Sequence, residues 1–126
     1  HHLIMIGVGN LGHALLQNFP FASTGFSVDA AFDVSPAVVG STVNHVPILS
    51  LNDLDDYIHT HTVDVVVLTI PQSVAQDTAN RLMSLGVKGF WNFTNVELSS
   101  PYPDVKFENI HFADSLLTLS YRIANR

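Results

Sequence analysis

The chain has no cysteine among its 126 residues, so it offers no disulfide framework, thiolate nucleophile or thiolate metal site. That absence fits a reducing compartment, and the expected location is the cytoplasm. Basic residues are scarce as well: five Lys and Arg stand against eleven Asp and Glu, a net charge of −6. Going along the chain, the first of them is Arg81. Such a chain does not grip nucleic acid by itself, because affinity for phosphate backbones comes mainly from Lys and Arg. No apolar run approaches the ~20 residues needed to span a bilayer, and no signal peptide is visible, so no membrane partner is expected. What abounds is apolar. With 47% hydrophobic and 13% charged residues, the balance suits one α/β domain, 1–126, whose sheet is buried on both faces.

Strand and helix patterns alternate throughout, which predicts a Rossmann-like α/β fold with a doubly wound parallel sheet. Strands are expected at 3–8, 27–33, 46–49, 64–70, 89–93 and 105–110. Helices are expected at 10–19, from a Ser50-x-x-Asp53 capping box to about Ile58, and from Pro71 to a left-handed cap at Gly86, with a short helical turn starting at Pro36. A last helix spans 112–124. At 100° per residue, Phe112, Leu116, Leu119 and Ile123 form one stripe, while Leu117 and Tyr121 fall nearly opposite, beside Ala113 and Ala124. One stripe is enough to cover a sheet. The second reads as a surface for another subunit or domain, or as ordinary exposed apolar residues.

The chemistry gathers at Gly7-Val8-Gly9-Asn10-Leu11-Gly12, a G-x-G-x-x-G between the first strand and the first helix. Asp33 closes the second strand twenty-one residues after Gly12. In that setting the motif is a dinucleotide-binding fingerprint. Gly7 permits the tight turn, Gly9 lets backbone approach a pyrophosphate, and Gly12 lets the helix pack closely on the sheet. The helix N-terminus presents free N–H groups and the positive end of its dipole to phosphate. Asp33 can accept from both ribose hydroxyls and repels a 2′-phosphate, which no neighbouring base neutralises. These features favour NAD(H) over NADP(H). A turn that uses glycine for geometry alone is the competing reading.

Ligands of open α/β sheets lie beyond the carboxyl ends of the strands. The other candidate site residues are therefore Val34, Thr69, Ile70, Pro71, Asn92, Phe93 and Thr94. Thr69 and Asn92 can hydrogen-bond a ribose or a nicotinamide amide, and Ile70 and Phe93 can supply apolar walls. Each can equally be a strand-end residue serving its own backbone. Tyr102-x-x-x-Lys106 imitates a dehydrogenase pair, but Pro101 and Pro103 preclude the helix that pair needs. His59-x-His61 lacks further ligands for a metal and suits a helix C-terminus. His13 sits near the expected phosphates. No acid–base pair or nucleophile arrangement stands out, and there is no second domain to orient a hydride acceptor, so a binding domain is expected rather than an enzyme.

The run GVGNLGHALL, then Gly25-Phe26 and AAFDV at 30–34, resembles the C-terminal domain of the redox-sensing transcriptional repressors called Rex. So do VPIL, VVVLTIP, the 86–93 stretch GVKGFWNF, and the ending ENI…LLTLSY; the likeness covers nearly the whole chain. It implies a homodimer binding NAD(H) in facing Rossmann domains, with the C-terminal helix swapped onto the partner. It also implies an N-terminal winged-helix domain, absent from this chain, through which operator DNA is bound; NADH releases the operator and NAD⁺ is compatible with it. Three positions depart from the family: Asn18 stands for a usual Tyr, His111 for an Asp, and Ser35 for the second acid after the second strand. Two other readings remain: a CoA- or nucleotide-binding domain of a ligase-like enzyme, and a scaffold with a vestigial site.

Overall fold

The computed structural model describes residues 1–110; the helix expected at 112–124 and His111 lie outside the described residues. Seven strands form one sheet in the order β3-β4-β2-β1-β5-β6-β7. They are β1 (His2–Ile6), β2 (Ser27–Asp33), β3 (Thr42–Val43), β4 (Val46–Ser50), β5 (Val65–Leu68), β6 (Gly89–Asn92) and β7 (Lys106–Asn109). All neighbours pair in parallel except β3 with β4. The helices are α1 (Asn10–Asn18), α2 (Leu54–Thr60) and α3 (Gln72–Ser84). This is the doubly wound α/β architecture that the alternating pattern predicts.

Both faces of the central strand are dry, and alternation sorts its residues between two cores. Ile4 and Ile6 join Phe32, Val66 and Leu68 under α2 and α3, with Leu54, Ala75, Ala79 and Leu82 coming from those helices. Leu3 and Met5 join Ala31 and Val67 under α1, where Leu16 enters from the helix. Burying a Leu or Ile completely contributes about 1.5–3 kcal/mol each, so a continuous apolar strand is stable only when covered on both sides. An aromatic group of Phe19, Phe21, Trp91 and Phe93 extends the α1 side, with Phe19 edge-on to Trp91 at 5.1 Å between ring centroids.

Several local expectations are realised in detail. Gly86 has φ +95°, its N–H donates to the Met83 carbonyl, and the Val87 N–H donates to Leu82. That is a Schellman ending of α3, sealed by burial of Val87 against Leu82. At the other end of the molecule, the Ser50 hydroxyl caps a short 3₁₀ turn at Leu51–Asp53 by accepting from the Asn52 N–H, and α2 begins only at Leu54. Asp53 makes no reciprocal side-chain bond, so the expected capping box is half formed. No helical element follows Pro36; Val38 and Val39 donate to the Ser35 carbonyl in a turn.

Strand β3 is an addition that periodicity does not reveal. It pairs Val43 with Val46 across a two-residue turn in which Asn44 (φ 47°) and His45 (φ 69°) are both left-handed. Two positive φ values in succession make the tight turn whose twist matches a hairpin. The Asn44 amide also donates to the Leu16 carbonyl at 3.1 Å, tying the turn to the end of α1.

Candidate nucleotide-binding site

The sheet order puts β1 between β2 and β5, so the chain leaves β1 toward opposite sides at this point. The loops that follow these three strands meet at the carboxyl edge, where open α/β sheets hold their ligands. They enclose a cavity of about 760 Å³, walled by Gly7, Gly9, Asp33, Val34, Thr69, Ile70 and Pro71 together with Ile6, Leu51, Val74 and Thr78.

The three glycines do three different things. Gly7 turns the chain at φ +95° and donates to the Phe32 carbonyl at 2.8 Å, which ends β1 at Ile6 rather than at Val8. A Cβ there would lie 2.8 Å from the Thr69 carbonyl oxygen. On Gly12 a Cβ would collide with the Gly7 carbonyl oxygen and lie 2.9 Å from the Thr69 hydroxyl. Gly9 is the opposite case, with no atom within 4 Å of its Cβ position. Its openness faces the cavity, so glycine there serves whatever enters rather than the packing of the chain itself.

Gly9 is also the N-cap of α1, and it has no side chain to cap with. Within the helix the earliest N–H bond is His13 to the Gly9 carbonyl at 2.9 Å. The N–H groups of Asn10, Leu11 and Gly12 therefore have no intrahelical acceptor, and no acidic side chain occupies the first turn. Donors and the positive end of the dipole remain available to an anion.

Asp33 ties this loop to the end of β2. One carboxylate oxygen accepts from the Val8 N–H at 2.6 Å and the other from the Ser35 N–H at 2.8 Å. Each oxygen keeps a second lone pair, so both ribose hydroxyls can still be accepted. The Arg81 and Lys88 side chains pair with Asp55 at 2.6 Å and Asp104 at 3.0 Å, and no cationic side chain of the described residues lines the cavity. Lys88, hydrogen-bonded to Asp104, holds that carboxyl below its usual range.

The remaining sequence candidates divide. Thr69 reaches the cavity, but its hydroxyl donates to the Gly7 carbonyl at 2.6 Å, so it holds the glycine loop. Asn92, Phe93 and Thr94 do not line this cavity. Asn92 is 1% exposed. Its amide donates to the Val96 carbonyl and to Asn109 Oδ1, while its oxygen accepts from the Thr94 N–H and hydroxyl. Its bonding capacity is used inside the chain. Phe93 packs on Trp91 at 5.2 Å. Val8 is buried, Asn10 is exposed and Leu11 half-buried, none of them in the cavity wall.

Leu51, Val74 and Thr78 are wall residues that sequence reasoning missed. Helical spacing assigned Val74 and Thr78 to the buried stripe of α3, yet Ala75, Ala79, Leu82 and Met83 fill it. Leu51 had a usable signal, since it directly follows the carboxyl end of β4. Among the described residues no cluster of three His, Cys, Asp or Glu can hold a metal, and no helix is long and apolar enough to cross a membrane. His61 stacks on Tyr57 at 3.9 Å instead.

Comparison with known proteins agrees with this geometry. Residues 1–96 match the model of the CoA binding domain family. The redox-sensing transcriptional repressor Rex of Caldicellulosiruptor saccharolyticus is 42% identical over 121 residues, covering 96% of this chain and 55% of the relative. Among solved structures, RSP, a Rex-family repressor, in complex with β-NADH superposes with a TM-score of 0.87 at 38% identity, over 99% of this chain and 60% of that one. RSP in complex with β-NAD⁺ and operator DNA superposes at 0.86, with 38% identity over 99% of this chain and 57% of that one. The chain spans about half the length of the curated relatives it matches. By the match over 1–96 it belongs to the CoA-binding domain family, and within that family its relatives are the Rex repressors.

Proposed function

We propose that this chain is the NAD(H)-binding sensor domain, 1–126, of a Rex-type redox-sensing transcriptional repressor in the cytoplasm, acting as a binding domain and not as an enzyme. The observation that carries the proposal is the meeting of Asp33, the open face of Gly9 and the uncapped start of α1 at one cavity. Gly9 and the N–H groups of Asn10, Leu11 and Gly12 bind the pyrophosphate, Asp33 orients the adenosine ribose, and Val34, Ile70 and Pro71 exclude water from the base. Thr69 keeps the loop in shape. Asp33 also repels a 2′-phosphate in a wall without a cation, which selects NAD(H) over NADP(H). Asn92, Phe93 and Thr94 brace the nicotinamide side from behind.

When bound, the nicotinamide supplies the signal as its oxidised or reduced state. A sensor turns that state into a response only if its two conformations bind NADH and NAD⁺ with different affinity. In this reading the segment 112–124, with its two apolar stripes, joins two copies into a homodimer and carries the response. Operator DNA is bound through a further domain of the whole repressor, as this acidic chain does not supply the cations. Calorimetric titration tests the sensing: NADH is expected to bind at least about fivefold more tightly than NAD⁺. Equal affinities would remove the sensor reading, and a monomer in sedimentation would remove the dimer.

A further inference from the structure

We infer that the cavity is a site for the adenosine 5′-diphosphate group as such, and that free ADP competes with the dinucleotide for it. The inference rests on the nucleotide-binding reading above and extends it to a second class of ligand. Its basis is what the cavity wall contains and what it leaves out.

The recognition groups in the wall serve one half of a dinucleotide. Asp33 stands at the end of β2 for a ribose, and Gly9 with the start of α1 stands for two phosphates. Val34, Leu51, Ile70 and Val74 make an apolar slot beside Asp33, and Val34 is 76% exposed, an unusual cost for a valine that nothing covers. A flat base inserted there removes that apolar surface from water. The residues on the other side of the sheet's switch point, Asn92 and Thr94, are buried and hydrogen-bonded to each other. The affinity this wall supplies is therefore common to NAD⁺, NADH, ADP-ribose and ADP.

The same wall rejects adenosine diphosphates with a further phosphate on the ribose. A 2′- or 3′-phosphate would sit against the Asp33 carboxylate, in an apolar enclosure with no cationic side chain lining it. Like charges at such range and low dielectric repel strongly. CoA, which carries a 3′-phosphate, is excluded with NADPH, despite the CoA-binding description of the family. One consequence is regulatory. Free ADP weakens the apparent affinity for NADH by the factor 1 + [ADP]/Kd, so the adenylate pool sets the background against which the redox ratio is read.

The test is competition on the 126-residue chain, with NADH titrated in the presence of ADP, ADP-ribose, CoA or NADPH. ADP and ADP-ribose are expected to displace NADH competitively, with ADP binding within about tenfold of NAD⁺, while CoA and NADPH leave the NADH titration unchanged. If NADH binds and a large excess of ADP does not displace it, the inference falls and the nucleotide reading stands. If NADH itself does not bind, both fall. Asp33→Asn supplies a gain of binding that a misfolded variant cannot imitate: CoA and NADPH are expected to become competitors. Should they remain excluded by that variant, the role given to Asp33 is wrong.

Discussion

The Thr69 hydroxyl, at the end of β5, donates to the Gly7 carbonyl 2.6 Å away, at the end of β1. The two residues are 62 positions apart and belong to neighbouring strands. Through this bond the glycine loop is held from behind, on the side away from its phosphate-facing donors. The Asp33 carboxylate grips the same loop from β2 through the Val8 N–H. The loop is thus strung between its two neighbours in the sheet before any ligand arrives, which lowers the ordering cost of binding.

Thr69→Val removes the donor and keeps the shape. The variant is expected to lose about 1–2 kcal/mol of stability, because the Gly7 carbonyl loses its partner in a half-buried setting. NADH affinity is expected to fall with it. Thr69→Ser keeps the hydroxyl and is expected to restore most of both. Denaturant unfolding and calorimetry on the pair check this; equal behaviour of Val and Ser would refute the strut.

The glycines separate packing from binding. Gly12→Ala forces a methyl group onto the Gly7 carbonyl, and overpacking of this kind costs about 1–3 kcal/mol. Gly9→Ala meets no atom within 4 Å, so its stability is expected to stay within about 0.5 kcal/mol of the parent. Nucleotide affinity is nevertheless expected to drop for Gly9→Ala, because the methyl group fills the approach. Thermal unfolding and ligand titration together distinguish the two cases.

Asn92→Ala strips the buried hub of the β6–β7 edge. Thr94, Asn109 and the Val96 carbonyl lose partners at once, and a loss of about 2–4 kcal/mol is expected. Asn109→Ala removes one of these bonds and is expected to cost about 1 kcal/mol. Urea midpoints at unchanged slope measure both. A smaller effect from Asn92 than from Asn109 would contradict the hub.

Burial, and then the Asp29 charge, raise the Tyr57 phenol above its ordinary value of 10.0. The folded chain holds this proton more tightly than the unfolded chain does. Its contribution is therefore complete below about pH 10 and is lost as the pH rises through the raised value. Tyr57→Phe is expected to flatten the alkaline fall in melting temperature, and an unchanged alkaline profile would show that Tyr57 does not cause it.

Most of the fold was legible in the residues because its signals are local. The continuous apolar strand Leu3–Ile6, the helical spacing of Ala79 and Leu82 and the left-handed glycine at Gly86 each act within a few residues. Strand β3 was not legible. Its turn uses Asn44-His45 where a glycine would have flagged it, and positive φ at His45 is tolerated only because the surrounding structure imposes it. Register was hidden too. The β1–β2 pairing slips between Leu3 and Ile4, leaving Asp29 to bond with His2 and Ser27 on the surface. Such a slip depends on partners far along the chain.

At the cavity the division has a single physical reason. Backbone demands belong to the residue that meets them, so the strand–glycine–helix sequence and the acid at Asp33 were determined by the sequence itself. Side-chain hydrogen bonds belong to pairs brought together by packing. Only the tertiary structure decided that Thr69 bonds Gly7 while its place at the strand end resembles Asn92's. Only packing turned the Asn92 amide inward to Thr94 and Asn109, and left Leu51, Val74 and Thr78 to complete the wall.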